Sequence, residues 1–586
     1  MAVEKLIVDH IDTWTTALQT RSTAGRASTG KIDLYGIKKL RELILELAVR
    51  GKLVPQDPND EPASELLKRI AAEKAELVKQ GKIKKQKPLP EISEEEKPFE
   101  LPEGWEWVTL ATVGEIVGGG TPKSDNPQYW AKNGIKWLTP ADLYGLKGKY
   151  ISSGARDISP AGLSNSSARL MPKGSVLFSS RAPIGYVAIA DAELSTNQGF
   201  KSCVPYIKDS AEYIYYFLLA SAKKIDAEAS GTTFKEVSGA IVSKILFPLP
   251  PLSEQLKIVS RANELMALCD QLEQHSLTSL DAHQQLVETL LTTLTDSQNA
   301  NELAENWARI SEHFDTLFTT EASIDALKQT ILQLAVMGKL VPQDPNDEPA
   351  SELLKRIAQE KAQLVKDGKM KKQKPLPPIS DEEKPFELPE GWEWCRLEEI
   401  AYIFSGNAFK SEDFNESAGT KCIKITNVGV HEFIESQDYL PSDFNKSYHN
   451  FRVYSGDMII AMTRPYISSG LKICICPDSY HNALLNQRVC AIRLSHFSEY
   501  YYLFLKSLFV LKHYQDRFNN SGLQPNLKMA DISHLLIPVP PENEQNKIQN
   551  KINALYTMIE TLLELTKSAQ QTQLHLADAL TDAAIN

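Results

Sequence analysis

Two short polar segments in the first half of the chain carry side chains suited to hydrogen-bonded recognition. Ser179-Ser180-Arg181 follows one predicted strand, and Thr196-Asn197-Gln198 follows another. Arginine, asparagine and glutamine each end in a planar group with more than one hydrogen-bonding atom, and hydroxyl groups both donate and accept. Loops at strand ends often carry such groups. These segments are therefore candidate recognition loops; the alternatives are a structural ion pair for Arg181 and a turn role for Asn197.

The second half of the chain offers comparable polar segments. Thr463, Arg464, Asn486 and Gln487 hold the matching positions, and FSGNAF stands where the first half has GGGTP. A further polar loop lies before the last predicted strand, and its counterpart in the first half is 231–235. Its polar residues are Asn519, Asn520, Gln524, Asn526 and Lys528.

The motifs of enzymatic chemistry are missing from the sequence. No Asn/Asp-Pro-Pro-aromatic tetrapeptide occurs, which an adenine methyltransferase needs to hold a flipped base. No GxxxxGK[ST] phosphate loop occurs either. Cys474 and Cys476 have no second pair or histidine at metal-ligand spacing, and the six histidines between residues 391 and 540 show no ligand spacing. The sequence therefore predicts neither a catalytic nor a metal site.

A near-identical repeat positions these polar segments. Residues 47–110 return as 334–397, and 55 of 64 positions are identical, including every proline of the first copy and both tryptophans of GWEW. The period is far too long for a solenoid, so the chain has two tandem halves. After each GWEW the halves diverge into a first body (residues 104–250) and a second body (residues 391–540), with short runs typical of strands.

Helices are predicted on both sides of each body. Ser64 and Ser351 are expected to cap the helices that begin SELLKRIA, which should end near Gly81 and Gly368. The hinges FPLPPLSEQLKI and IPVPPENEQNKI each precede a long apolar stripe at spacings of three and four. The first long helix should run from about 252 to 294, roughly 60 Å at 1.5 Å per residue. The stripes pack against each other, against the opening helices, or against a partner; the candidate residues are Leu256, Val259, Leu265, Leu272, Ile548, Ile552, Leu555 and Ile559.

Composition sets the broad class. At 586 residues and 42% apolar content the chain can bury several cores. Neither a signal peptide nor a bilayer-length apolar run is visible, so we expect a soluble, cytoplasmic protein. The formal charge of −11 is uneven: the first body carries about +3 and the second about −1 by direct count. A polyanion would thus be held by local patches, and the basic runs KIKKQKPLP and KMKKQKPLP read as linkers or as DNA-contacting tails.

The order of helix, repeated lead-in, variable body, proline hinge and long helix resembles the specificity subunit of type I restriction-modification enzymes. GWEWVTL, GGGTP, WLTPADL, SSRAPIGYVAIA, TNQGF and PLPPLSEQ carry the resemblance in the first half. The second half departs from it with FSGNAF, MTRPYIS and LLNQRV.

The resemblance implies an α+β fold with two α/β target-recognition domains, separated by long antiparallel, coiled-coil-like helices with an internal pseudo-twofold repeat. It implies a non-catalytic subunit in which each body reads one half of a bipartite, asymmetric sequence in double-stranded DNA. Two methyltransferase subunits, which use S-adenosylmethionine, and two restriction subunits, which use ATP and Mg, would be the partners. The expected divisions are 1–103, 104–250, 251–390, 391–540 and 541–586.

In that setting base edges would be read by planar and hydroxyl side chains, and phosphates would be held by lysines or backbone N–H groups. Phosphate contacts are expected from Lys123, Lys235, Lys410 and Lys528. The full set of candidate DNA-binding residues is Gly119, Gly120, Thr121, Lys123, Ser179, Ser180, Arg181, Thr196, Asn197, Gln198, Lys235, Asn407, Lys410, Thr463, Arg464, Asn486, Gln487, Asn519, Gln524, Asn526 and Lys528.

Two other functions are alternatives to DNA recognition. The weak basicity of the bodies would suit a protein-interaction scaffold with two different partners. A stand-alone nuclease or methyltransferase lacks the motifs that its chemistry requires. Enrichment of a split motif from a DNA library would favour DNA recognition, and no enrichment would favour the protein-interaction scaffold.

Overall fold

Helices form where apolar residues recur at three and four positions. The computed structural model describes residues 3–21, 31–85, 90–181, 183–229, 235–368, 376–467, 470–518 and 525–585. Its α-helices are Val3–Asp9, Ile11–Thr16, Tyr35–Val49, Ala63–Lys79, Leu110–Val113, Pro160–Ser164, Ala211–Glu228, Gly239–Lys244, Leu252–Asp296, Ala300–Glu312, Phe314–Leu317, Glu321–Val336, Ala350–Lys366, Leu397–Ile400, Phe444–Ser447, Glu499–Leu505, Leu508–Phe518, Met529–Ser533 and Glu542–Ile585.

The chain forms two units, each built from segments that are distant in sequence. The first contains Met1–Gln19, Asp33–Leu277 and Gln570–Asn586, and the second contains Thr20–Ile32 and Thr278–Ala569. The first body lies in the first unit and the second body in the second. Helices and sheets are mixed in both, which confirms the α+β class. No described helix combines the length and the apolar composition needed to cross a bilayer.

The first body is closed at its base by the strand that carries GWEW. This entry strand, Glu106–Thr109, pairs antiparallel with the exit strand Leu246–Leu249 of the proline hinge. Between them lie two larger sheets. The five-stranded sheet has the order Gly114–Gly118, Lys201–Pro205, Val176–Ser180, Ile184–Ala190, Tyr150–Ile151, and the four-stranded sheet has the order Ser195–Thr196, Ile135–Leu138, Arg156–Ile158, Trp130–Ala131.

The second body repeats this closure on a different set of strands. Glu393–Arg396 pairs antiparallel with Leu536–Val539. A four-stranded sheet has the order Ala401–Ser405, Val489–Leu494, Met458–Ala461, Ile473–Ile475. A three-stranded sheet has the order Tyr439–Leu440, Thr420–Ile423, Leu484–Leu485, and a two-stranded sheet pairs Tyr466–Ile467 with Gly470–Leu471. Outside the bodies, Gln19–Arg21 pairs with Lys31–Asp33.

The duplicated residues build the same buried junction in each unit. In the first, Glu254 of the hinge accepts hydrogen bonds from Trp105 Nε1 at 2.8 Å and Gln56 Nε2 at 3.0 Å. In the second, Glu544 accepts from Trp392 Nε1 at 2.9 Å and from the matching glutamine at 3.1 Å. Burial raises the pKa of both carboxyl groups, and these hydrogen bonds oppose the shift. The repeat therefore fixes each body to the start of a long helix.

The first long helix, Leu252–Asp296, has the predicted limits to within two residues. The expected caps of the SELLKRIA helices are wrong, because these helices begin at Ala63 and Ala350, so that Ser64 and Ser351 lie inside them. Neither helix has a side-chain cap. The amides of Ala63 and Ala350 instead donate to the carbonyls of Gly104 and Gly391, each at 2.8 Å.

Candidate nucleic-acid interface

Three predicted recognition residues of the first body lie inside it. Ser179 and Ser180 are fully buried, and Thr196 is 1% exposed. The Ser179 hydroxyl donates to Pro183 O and accepts from Tyr186 N, both at 2.8 Å, while Ser180 Oγ donates to Gly199 O at 3.2 Å. The expectation that these three side chains contact DNA is therefore wrong. Their hydroxyl groups are buried within the two larger sheets of the first body, where they have no access to a ligand.

Gly119 and Gly120, which were predicted to bind DNA, lie close to other backbone segments of the protein. A Cβ on Gly119 would lie 1.8 Å from Asn197 O, and one on Gly120 would lie 2.3 Å from Ala168 N. Backbone packing, and not DNA, explains these glycines. In the second body, a Cβ on Gly406 would lie 2.2 Å from Asn486 O. Gly119 and Gly406 each let the end of a strand pass close to the loop that contains the Asn-Gln pair, whereas Gly120 packs against Ser167 and Ala168.

This packing predicts a strong difference between neighbouring glycines. Gly119→Ala should destabilise the first body by about 1–3 kcal/mol, because a backbone segment must move. Gly118→Ala is the matched control, since its Cβ would meet only Lys201 Cδ at 3.8 Å. Thermal unfolding of the two variants tests the prediction. Equal transition temperatures would show that the segment around Asn197 adapts without cost.

The polar groups that remain exposed in the first body surround the 196–198 loop. Thr121 and Gln198 are exposed and hydrogen-bonded to each other. The Asn197 carboxamide accepts from Gly199 N at 2.8 Å, which supports its predicted turn role. Arg181 is about one-third exposed, with its guanidinium 3.9 Å from Glu236. These residues leave a mixed polar surface at which the glutamine and arginine are accessible.

The predicted phosphate-binding lysines are all exposed, but their surroundings differ. Lys123 has no ion pair with any residue in the described ranges. Lys235 donates to Asp226 O at 3.1 Å, and Lys410 pairs with Glu412 at 3.2 Å. Lys528 begins the helix Met529–Ser533. Exposure makes all four available to an anion, with Lys235 and Lys410 partly neutralised.

In the second body a cavity of about 880 Å³ brings several predicted residues together. Thr463, Arg464 and Asn526 line it, and Thr463 forms a β-bridge with Asn526. Arg464 adopts a left-handed conformation with φ of 49°, which is uncommon for a residue other than glycine. Its amide donates to Pro525 O at 3.0 Å. The cavity is thus a candidate binding site assembled from two separate loops.

Sequence reasoning missed two residues of this cavity, Lys472 and Arg488. Arg488 directly follows the predicted Asn486-Gln487 pair, so extending that motif by one residue would have found it. Lys472 lies between the strands Gly470–Leu471 and Ile473–Ile475, and its sequence context carries no comparable signal. Which side chains face the cavity depends on the burial of the surrounding strand residues, and the sequence alone does not give that burial.

The other predicted residues of the second body that the structure describes do not line this cavity. Asn407 N donates to Leu485 O and Asn486 N to Ile423 O, both at 2.9 Å. Gln487 is exposed. Asn519 and Gln524 lie outside the described residues, as do 86–89 and 369–375 of the two basic runs. Within the described ranges, no group of three or more His, Cys, Asp or Glu could hold a metal ion.

The apolar stripes of the long helices pack inside their own units. Val259, Leu265, Ile548, Ile552 and Ile559 are buried, so the expectation that they bind a partner protein is wrong. Ile548, Ile552 and Ile559 share one core with residues of the helix Glu321–Val336, which confirms packing on an opening helix. Leu272 and Leu555 are half-buried. Leu256, 49% exposed, is the one member of the predicted set that stays accessible.

Comparison with known proteins gives a consistent result. The family model described as "Type I restriction modification DNA specificity domain" matches residues 102–282 and 389–571. These two matches include all of both bodies and the first part of both long helices.

The chain is 53% identical to the type I restriction enzyme EcoAI specificity subunit of Escherichia coli, with both chains aligned in full. It is 48% identical to the EcoEI specificity subunit of the same species, again over both full chains. A chain from a structure of the type I R-M system aligns with 83% of this chain and 99% of its own length, at 17% identity and a TM-score of 0.49. The chain belongs to the family of type I restriction-modification specificity subunits.

Proposed function

We propose that this chain recognises a split, asymmetric sequence in double-stranded DNA, with each body reading one half. One observation carries the proposal: two near-identical supports, each with the same buried Trp-Glu-Gln junction, hold bodies whose exposed loops differ. Identical supports with identical loops would be suited to a symmetric target. Different loops on a common support are suited to two different half-sites.

As a specificity subunit, the chain supplies recognition and not catalysis. Two methyltransferase subunits that use S-adenosylmethionine and two restriction subunits that use ATP and Mg complete the proposed complex. The long helices would set the distance between the half-sites. Each helix contributes residues to both units, because the unit boundaries fall at Leu277 and Ala569.

Selection from a random duplex library tests this function. The full-length chain, with and without its methyltransferase subunit, is mixed with the library, and bound DNA is sequenced. We expect enrichment of one motif made of two unlike halves with a fixed gap. No enrichment in either sample would contradict the proposal and favour a protein-interaction scaffold.

Arg181 is the first-body residue for which we expect base contact. Its pair with Glu236 is long and part-exposed, and such pairs contribute at most about 1 kcal/mol, so DNA can compete for the guanidinium. Arg181→Ala should reduce selectivity for one half-site by about 1–3 kcal/mol and leave the other unchanged. Lys123→Ala is the control, because loss of a phosphate contact weakens all sequences equally. Equal losses on specific and random DNA for Arg181→Ala would make it a phosphate contact.

A further inference from the structure

The two bodies share an isolated β-bridge between two loops at equivalent positions. In the first body Arg181 forms a β-bridge with Glu236, and Val237 N donates to Ser180 O at 2.9 Å. In the second body Thr463 forms a β-bridge with Asn526, and Leu527 N donates to Met462 O at 2.7 Å. The backbone pairing therefore puts Asn526 at the position of Glu236. A neutral residue replaces a carboxylate.

In the first body that carboxylate is shared by two nearby cations. Glu236 lies 3.9 Å from the Arg181 guanidinium and 3.5 Å from Lys201 Nζ. Lys201 Nζ also donates to Gln198 O at 3.1 Å and to Ser180 Oγ at 3.4 Å. Both cations thus have partners within the protein. An incoming phosphate would have to compete with Glu236 for each of them.

In the second body the cations have no such partner. Arg464, Lys472 and Arg488 line the same cavity, and none of them has an ion pair within 4 Å in the described part of the chain. Glu432 is the only acidic residue of the lining, so the lining carries a formal charge of about +2 by count. The three cations come from three separate segments and surround one space. Unpaired positive charge concentrated in this way attracts anions.

We propose that this cavity of the second body is a binding site for DNA backbone phosphates, and that Glu236 masks the corresponding surface of the first body. The inference rests on the proposed DNA-binding function. A phosphate fits these observations better than a base edge, because a point charge such as Lys472 suits a phosphate and several cations surround the space. The second body therefore provides the stronger sequence-independent contact, although its overall charge is the more negative.

A reciprocal exchange of the two equivalent residues tests the inference. Affinity of the full-length chain with its methyltransferase subunit is measured on a short random-sequence duplex over a range of salt concentrations. Asn526→Glu should weaken binding about two- to fivefold, the scale of one part-exposed charge pair. Glu236→Asn should strengthen it by a similar factor. Arg488→Gln should lower the slope of log K against log salt by about 0.9, the value for one lost phosphate contact.

Thermal unfolding establishes whether each variant is folded. Lys472→Gln serves as a second cavity variant if Arg488→Gln does not fold. Folded Asn526→Glu and Arg488→Gln proteins with unchanged affinity and slope would overturn the inference. If they lose affinity only for one specific sequence, the cavity contacts a base and the phosphate assignment is wrong. Failure of the unmodified complex to enrich any motif would instead contradict the proposed function.

Discussion

Trp392→Ala is expected to lower the free energy of unfolding of the second unit by about 3–5 kcal/mol. The indole is 5% exposed and packs edge-on against Tyr500 at 6.0 Å between ring centroids. Its removal also takes one hydrogen-bond donor from Glu544, which is 1% exposed. A buried carboxylate that loses a donor retains its desolvation cost without the compensating bond. The cavity and the lost bond therefore act in the same direction.

Hydrogen exchange resolved along the chain measures this effect in each unit separately. Amides of the entry and exit strands of the second body should exchange faster in Trp392→Ala, whereas those of the first body should not change. Trp105→Ala, which removes the equivalent indole, should show the reverse pattern. Trp307→Ala is the control, because that side chain is 40% exposed and its loss should change stability by less than about 0.5 kcal/mol. Equal exchange in Trp392→Ala and Trp307→Ala would show that the buried junction does not stabilise the body.

Insertion of one helical turn after Leu272 is expected to change the DNA target without changing either half-site. Four added residues lengthen a helix by roughly 6 Å and rotate the following part by about 40°. Because base pairs rise about 3.4 Å, the gap between half-sites should grow by roughly two base pairs. Leu272 is only half-buried, so the insertion falls where packing is less dense than at Leu265.

The matched control places the same four residues after Lys147. This lysine is exposed in a turn between Gly145 and Gly148, and a Cβ at either glycine would meet nothing within 4 Å. The control should keep both half-sites and the gap. Library selection reads out both variants. An unchanged gap in the Leu272 insertion, with enrichment retained, would contradict the role of the long helices as spacers.

The sequence was most informative where one physical rule dominates. The spacing of three and four residues after the proline hinge correctly predicted the limits of the first long helix. The resemblance then pointed to a family that the full-length relatives confirm. Periodicity could not decide what covers an apolar stripe. Val259 and Ile552 are buried within their own units, although the same spacing would suit a partner-binding face.

Individual recognition residues were harder to predict, because exposure depends on tertiary packing. Ser179 and Arg181 are two residues apart in one segment, yet the first is fully buried and the second is part-exposed. The strand Val176–Ser180 ends between them, and this limit could not be placed precisely from sequence. Arg488 was missed because its role depends on the other segments that line the cavity, which lie between 16 and 63 residues away in sequence.

Mapping of methylated adenines tests the central claim most directly. DNA is taken from cells that express this chain with its methyltransferase and restriction subunits, and every modified adenine is located. We expect the modified sites to share one motif with two unlike halves and a constant gap. Modification at a continuous motif, at a motif with identical halves, or at no defined sequence would contradict the account of two different readers on a duplicated support.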